Sequence, residues 1–419
     1  MQKPLITALT TLLLASCATT PTPQATQTAR PDSIITIPTT TATSNATLEQ
    51  QYGGTIALRT DTFAIIANPT RQPLTAQGGK QHSIEKNKDA INVNPSTDSP
   101  DSTWTNFRYI WSTARYIWSD SQYVWNESRF TNMPENTDIW HNLGVDYAYE
   151  NMQLGKDKTI AIIDSGVDLT HPMFDGIFVS ESKFKDFVDG DAIPEDKGLD
   201  GKNGSGHGTG VLGIAVQIAP KARYLPIRVI NEVGRGDLLN LAKAIVWAAD
   251  NNADVINLSL GSSESSEALD LAISYANDRG SIIVAAAGNS NQSVPDFPAA
   301  QFENDEMNIS VGSVDIYGNK SAFSSYGSSV SLMAPGENIQ SAYPNNMTAM
   351  FSGTSMSTPI AASAVAIGLS TGLSPEQAIQ RLKLTADNIF SADQNYAYIG
   401  ALGYGKLNIK KYISESPSR

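Results

Sequence analysis

One cysteine, Cys17, stands among 419 residues, so no disulfide can form within the chain. Stability outside a reducing compartment must then come from the core or from bound ions. Histidine is also scarce, with four residues, and no spacing of His, Cys, Asp or Glu fits a zinc site. Positive charge is in deficit, 29 Lys and Arg against 42 Asp and Glu, for a net charge of -13. That balance argues against nucleic acid or anionic lipid as an electrostatic partner. What remains is 41% hydrophobic and 17% charged, the composition of a soluble globular body with one sizeable domain and extra segments.

The amino terminus has a pattern of its own. Met1-Gln2-Lys3 precedes an apolar run from Leu5 to Leu14, interrupted only by Thr7, Thr10 and Thr11, and then Leu14-Ala15-Ser16-Cys17. The run is shorter than the ~20 residues that cross a bilayer, so residues 1–17 read as a cleaved signal peptide. Leu-Ala-Ser-Cys resembles the lipobox of bacterial lipoproteins. The resemblance implies lipidation of Cys17 and an extracytoplasmic, membrane-anchored chain, or a secreted one if the tether is processed. Residues 18–47 are rich in Thr, Ala, Pro and Ser with almost no charge. They are expected to form a flexible tether.

From 48 to 102 a small accessory or pro-region and a linker are expected. Thr55-Ile56-Ala57-Leu58 and Phe63-Ala64-Ile65-Ile66-Ala67 predict two short strands joined by a turn, and the rest is polar and turn-rich. Residues 103–131 carry a seven-residue repeat in which Trp104, Trp111, Trp118 and Trp125 recur. A helix would gather the Trp on one face but fits a coiled-coil seam poorly, and the Tyr-Ile-Trp triplets suit stacked short strands, so both readings stand. Packing on the body, a membrane interface or a partner are the roles open to the repeat.

Residues 132–413 alternate short apolar runs with longer amphipathic segments, which predicts an α/β fold: a mostly parallel central sheet with helices on both faces. The strand candidates are 159–163, 222–229, 255–259 and 281–287. Ligand sites of such sheets form at the carboxyl ends of the strands, which places Asp164, Ser259 and Asn289 on one rim. Residues 414–419 are a tail.

Three blocks carry the chemistry. Ser355 lies in Gly353-Thr354-Ser355-Met356-Ser357-Thr358-Pro359, His207 in Gly206-His207-Gly208-Thr209, and Asp164 in Ile163-Asp164-Ser165-Gly166-Val167-Asp168. A serine hydroxyl needs a base, a group to orient that base and donors for the oxyanion. These blocks resemble those of the subtilisin-like serine proteases, over about two thirds of the chain. The resemblance implies an Asp164-His207-Ser355 triad, with Asn289 of Ala286-Ala287-Gly288-Asn289 and the Ser355 N–H as the oxyanion hole. It also implies that Ser259, Leu260 and Gly261 pair with an extended substrate, opposite a wall at Gly234 and Gly236. Gly210, Ser357 and Ile360 depart from the family pattern, and Gly210 is expected to loosen the helix carrying His207. His171 is a rival base that the resemblance places on a surface loop, and Asp168 is structural or solvated.

The implied function is a serine endopeptidase acting through an acyl-enzyme on a peptide or protein substrate. A surface scaffold or adhesion lipoprotein of low activity, and a narrow maturation protease, are the alternatives. No cofactor is required. The acidic loop Asp186, Asp189, Asp191, Glu195, Asp196 and Asp200 offers oxygen ligands to calcium but reads better as solvated. A monomer is expected.

Overall fold

Between residues 159 and 335 the apolar runs become strands whose side chains alternate between two cores. In a computed structural model, which describes residues 30–71, 82–87, 91–92, 110–111, 133–197 and 206–414, the first elements in chain order form a small unit. These are β1 (Ser33–Pro38), α1 (Asn45–Tyr52), β2 (Thr55–Arg59), β3 (Phe63–Ala67) and β4 (Ile84–Lys86), followed by the short strands β5 (Ile91–Asn92) and β6 (Ile110–Trp111). The helices α2 (Thr137–Leu143) and α3 (Val145–Glu150) lead into β7 (Thr159–Asp164) and β8 (Lys185–Asp186). Next come α4 (His207–Ile218), β9 (Arg223–Arg228), β10 (Arg235–Gly236), α5 (Leu238–Asp250), β11 (Val255–Leu258), α6 (Glu267–Asn277) and β12 (Ile282–Ala286). The chain ends through β13 (Ile309–Val314), β14 (Leu332–Pro335), the hairpin β15 (Ile339–Tyr343) and β16 (Met347–Phe351), α7 (Thr354–Ser370), α8 (Pro375–Leu384) and α9 (Ile409–Ser414).

Seven strands pair in parallel in the order β14-β13-β12-β11-β7-β9-β8. Ile160 and Ile162 of β7 face one core with α4 and α7, while Ala161 and Ile163 face the other with α5 and α6. β11 and β12 alternate in the same way, which is the period-two pattern of a sheet covered on both faces. Both outer strands are blunted. β8 is two residues long, and Met333 of β14 exchanges backbone hydrogen bonds with Gly405 and Leu407 at 2.8 Å each.

The small unit is a four-stranded antiparallel sheet, β2-β3-β1-β4, with α1 against it. The expected strands at 55–58 and 63–67 are present, but β1 lies within the segment read as a tether. Averaged composition hid Ser33-Ile34-Ile35-Thr36-Ile37-Pro38, four of whose residues are buried. This sheet rests on α5 and α6. Phe63 meets Tyr275 edge-on at 6.2 Å, Asp61 pairs with Arg279 at 3.5 Å, and Arg30 with Asp237 at 3.7 Å. Asn87 Oδ1 accepts the Leu239 N–H at 2.8 Å, so this residue caps α5 from outside the helix.

Cys17, Asp200 and most of the Trp repeat lie outside the described residues. The part of the repeat that is described, Ile110–Trp111, is a strand paired antiparallel with Thr348 and Ala349 of β16.

Candidate active site

The first strand of the expected triad ends on Asp164, and α4 begins on His207. Asp164 Oδ1 lies 2.6 Å from His207 Nδ1, and both side chains are at most 1% exposed. A carboxylate only accepts, so Nδ1 carries the proton and the lone pair is left on Nε2. The same Oδ1 accepts the Ser165 N–H at 2.7 Å. This approach needs Gly208: a Cβ there would collide with the Gly166 carbonyl, and its N–H donates to Ser165 Oγ at 3.0 Å.

Ser355 is the second residue of α7, in the turn whose N–H groups have no partner within a helix. Its Oγ donates to the Ser259 carbonyl at 3.2 Å, and Ser259 Oγ donates to the Ser355 carbonyl at 2.8 Å. That second bond is possible because the residue four places on is Pro359, which has no N–H to claim the Ser355 carbonyl. Asn257 Nδ2 in turn donates to Ser259 Oγ at 3.0 Å. Asn289 is oriented by Thr354, whose N–H and hydroxyl donate to Asn289 Oδ1 at 2.8 and 3.0 Å. The Nδ2 end of the amide is thereby the one left to donate. Thr354 lies inside the Ser355 block and Asn257 inside the strand candidate 255–259, but nothing in the sequence marks either for these roles.

Leu260 and Gly261 continue from Ser259 along the rim. On the opposite wall Gly234 has φ +75° and Gly236 belongs to β10. The segment expected to form that wall is paired within the chain: Arg235 pairs with Asn92 and Gly236 with Ile91 in antiparallel register. Ile91 is fully buried and joins the core shared by the small unit and α5.

Several expectations change. His171 is buried rather than on a surface, with Nδ1 accepting the Met173 N–H at 3.2 Å and Nε2 against the Met347 carbonyl at 3.1 Å. Asp168 is buried and structural: Oδ1 accepts from Thr170 and Oδ2 from the Asn345 N–H at 2.9 Å, which fixes the β15–β16 turn. His82 meets Glu267 at 2.8 Å, and His141 meets Asp146 at the same distance. α4 runs unbroken through Gly210, where the Phe351 ring takes the space a side chain would need. Ser357 Oγ donates to the Ala334 carbonyl at 3.0 Å, and Ile360 is in the core.

The acidic loop is not a solvated one throughout. Asp186 is buried, and Arg228 donates to Asp186 at 2.9 Å, Asp189 at 2.8 Å and Glu232 at 2.6 Å. Those partners hold the buried guanidinium protonated against the cost of its desolvation. Among the described residues no group of three or more His, Cys, Asp or Glu is arranged to hold a metal ion.

A chain with this sheet and these strand-end residues has relatives. Residues 155–405 match the model of the subtilase family. Thermitase of Thermoactinomyces vulgaris is 40% identical over 269 residues, 62% of this chain and 89% of that protein. A thermophilic serine proteinase of Bacillus sp. (strain AK1) is 39% identical over 267 residues, 61% of this chain but 63% of that longer protein. Among solved structures, a cold-adapted subtilisin-like serine proteinase matches with a TM-score of 0.52 and 33% identity, over 61% of this chain and 88% of that one. A lanthipeptide protease shares the fold, with a TM-score of 0.58 at 22% identity, over 67% of this chain and 96% of the other. The family match spans more than half of the sequence, and the chain belongs to the subtilase family.

Proposed function

We propose that this subtilisin-like serine endopeptidase works through Ser355 as nucleophile, His207 as base, Asp164 as the group that orients it and Asn289 as oxyanion donor. The buried 2.6 Å pair between Asp164 and His207 carries the proposal, because it sets the imidazole tautomer that a base needs. In the first step Ser355 Oγ leaves the Ser259 carbonyl, passes its proton to His207 Nε2 and bonds to the peptide carbonyl carbon. The oxyanion so formed accepts from Asn289 Nδ2 and the Ser355 N–H. His207 then protonates the leaving amine, and water hydrolyses the acyl-enzyme by the same route in reverse. The substrate lies extended between Ser259–Gly261 and Gly234–Gly236, held by main-chain bonds that tolerate many sequences. The test compares peptide hydrolysis and fluorophosphonate labelling by wild type and Ser355→Ala; equal turnover, or no labelling of the wild type at Ser355, would sink the proposal.

A second reading concerns residues 30–92. Their unit covers α5 and α6 and sends β5 into the substrate wall at β10, which supports an inhibitory pro-region rather than an accessory hairpin. Cys17 would hold the unprocessed chain on a membrane; among the described residues no helix is long and apolar enough to cross one. Cleavage beyond residue 92 would part the body from that anchor unless the small unit stayed docked. Mass spectrometry of membrane and soluble fractions tests both points. A lipid-free Cys17, or a mature body that still begins before residue 30, would overturn the respective reading.

A further inference from the structure

Asn136 stands just before α2, in the position where an asparagine side chain ordinarily caps a helix. It makes no cap here. Its amide is fully buried and turned to two other elements: Oδ1 accepts the Gln340 N–H of β15 at 2.8 Å, while Nδ2 donates to the Gln340 carbonyl at 2.8 Å and to Gln217 Oε1 of α4 at 2.9 Å. Both hydrogens of Nδ2 are thereby used. Against Gln340 the side chain behaves as one residue of an added strand, closing the edge of β15 that β16 does not cover. Gln217 Nε2 adds a bond to the same Gln340 carbonyl at 3.1 Å, and its Oε1 also accepts from Trp140 Nε1 at 3.2 Å.

The two elements so joined lead to the reacting groups. α4 begins on His207, and Gln217 lies in its last turn. β15 pairs through Ile339 with Phe351, the last residue of β16, and the Ser355 block follows directly. We infer that Asn136 is a positioning residue that holds the helix of the base and the hairpin of the nucleophile together, and so sets how Ser355 Oγ approaches His207 Nε2. The inference rests on the catalytic reading of those two residues. α7 also packs directly on α4, where Ser363 Oγ donates to the Ala215 carbonyl at 3.1 Å, but that contact lies two turns past Ser355. The first turn of α7 takes its place from the strand that enters it, where the Gly353 N–H donates to the Gly336 carbonyl at 2.8 Å. Near His207 the hairpin is held to α4 by Ser341 Oγ, which donates to the Gly210 carbonyl at 2.6 Å. Asn136 holds the far end, and without it α4 is free to pivot about Gly210. A displacement of about 1 Å at the reacting atoms costs on the order of 100-fold in rate. A maturation cut must therefore fall before Asn136.

The test uses the full chain after it has become active and compares wild type, Asn136→Ala and Gln217→Met on one quenched peptide and in the rate of fluorophosphonate labelling at Ser355. Gln217→Met keeps the volume and removes only the α4 end of the link, so the inference stays testable if Asn136→Ala does not fold. In each variant kcat and the labelling rate are expected to fall by about 10- to 100-fold, with KM within about twofold of wild type. The low-field proton resonance of the Asp164–His207 bond should persist, because that bond is made outside the link. Ile379→Val, which trims a buried side chain of α8, is the control for lost stability and should keep kcat within about twofold. A wild type that labels at Ser355 while Gln217→Met labels and cuts as fast overturns this inference alone. So does a loss of kcat in Ile379→Val as large as that in Gln217→Met. A wild type that neither labels nor cuts the peptide overturns the catalytic reading and this one with it.

Discussion

Ser259 and Ser355 hold each other by two hydrogen bonds, hydroxyl to carbonyl in each direction, at 2.8 and 3.2 Å. In the proposed mechanism the longer one holds the Ser355 hydroxyl and must break before attack, whereas the shorter one fixes the backbone that carries it. Ser259→Ala would leave the buried Ser355 carbonyl unpaired, a loss of roughly 1–3 kcal/mol. We expect kcat to fall by about tenfold with KM nearly unchanged, measured on a single peptide substrate. A rise in KM alone would mean that Ser259 serves substrate binding instead.

Asp164→Asn tests the tautomer. The amide can donate to Nδ1 where the carboxylate only accepts, so the proton moves to Nε2 and the base is lost. The expected drop in kcat is about 10³–10⁴-fold, and hydrogen-exchange protection of β7 should remain. A drop below about tenfold would mean that the pair is structural.

Gly210→Ala places a methyl against the Phe351 ring, where a Cβ would stand 2.6 to 3.0 Å from ring carbons. Overpacking of this kind costs about 1–3 kcal/mol. The melting temperature should fall by several degrees, and Phe351→Leu in the same chain should recover part of the loss. Independent, additive effects would disprove the contact.

Ile91→Asp puts a charge into a fully buried position next to Gly236. In a Ser355→Ala background, where the chain cannot cut itself, the small unit should undock. Amide exchange at Gly236 and at the first turn of α5, which Asn87 caps, should then speed up together. Unchanged exchange would show that 30–92 does not close the wall.

The Asp296 carboxyl titrates near 6 in the folded chain, above the 3.8 of an exposed aspartate. A raised pKa contributes stability that is complete below the unfolded value and lost as pH rises through the folded one. In the Ser355→Ala background the melting temperature of Asp296→Asn relative to Asp296 should therefore increase from pH 5 to pH 8. A difference in melting temperature that stays flat with pH would mean that burial of this carboxyl does not bear on stability.

The triad blocks were legible because each is a contiguous motif at a strand end or helix start, where local sequence and tertiary role coincide. The runs at 159–163, 255–259 and 281–287 announced themselves for a related reason: a strand buried on both faces is apolar at every position. β4 and β5 gave no such sign. They are three and two residues long and exist only through pairing with β1 and β10, a long-range relation that periodicity does not carry. β1 hid among threonines and prolines. Arg228 was illegible as a site because one charge among many on paper becomes distinctive only once its burial and its partners are seen.

The blunted margins of the central sheet bear on self-association. Copies held side by side by the anchor proposed at Cys17 would meet at high local concentration, where an unpaired parallel strand invites a neighbour's strand to add. A margin of only Lys185 and Asp186 on one side, and a margin already paired with residues 405–407 on the other, deny that invitation. A protein proposed to pair with extended chains is thus kept from joining the sheets of its own kind.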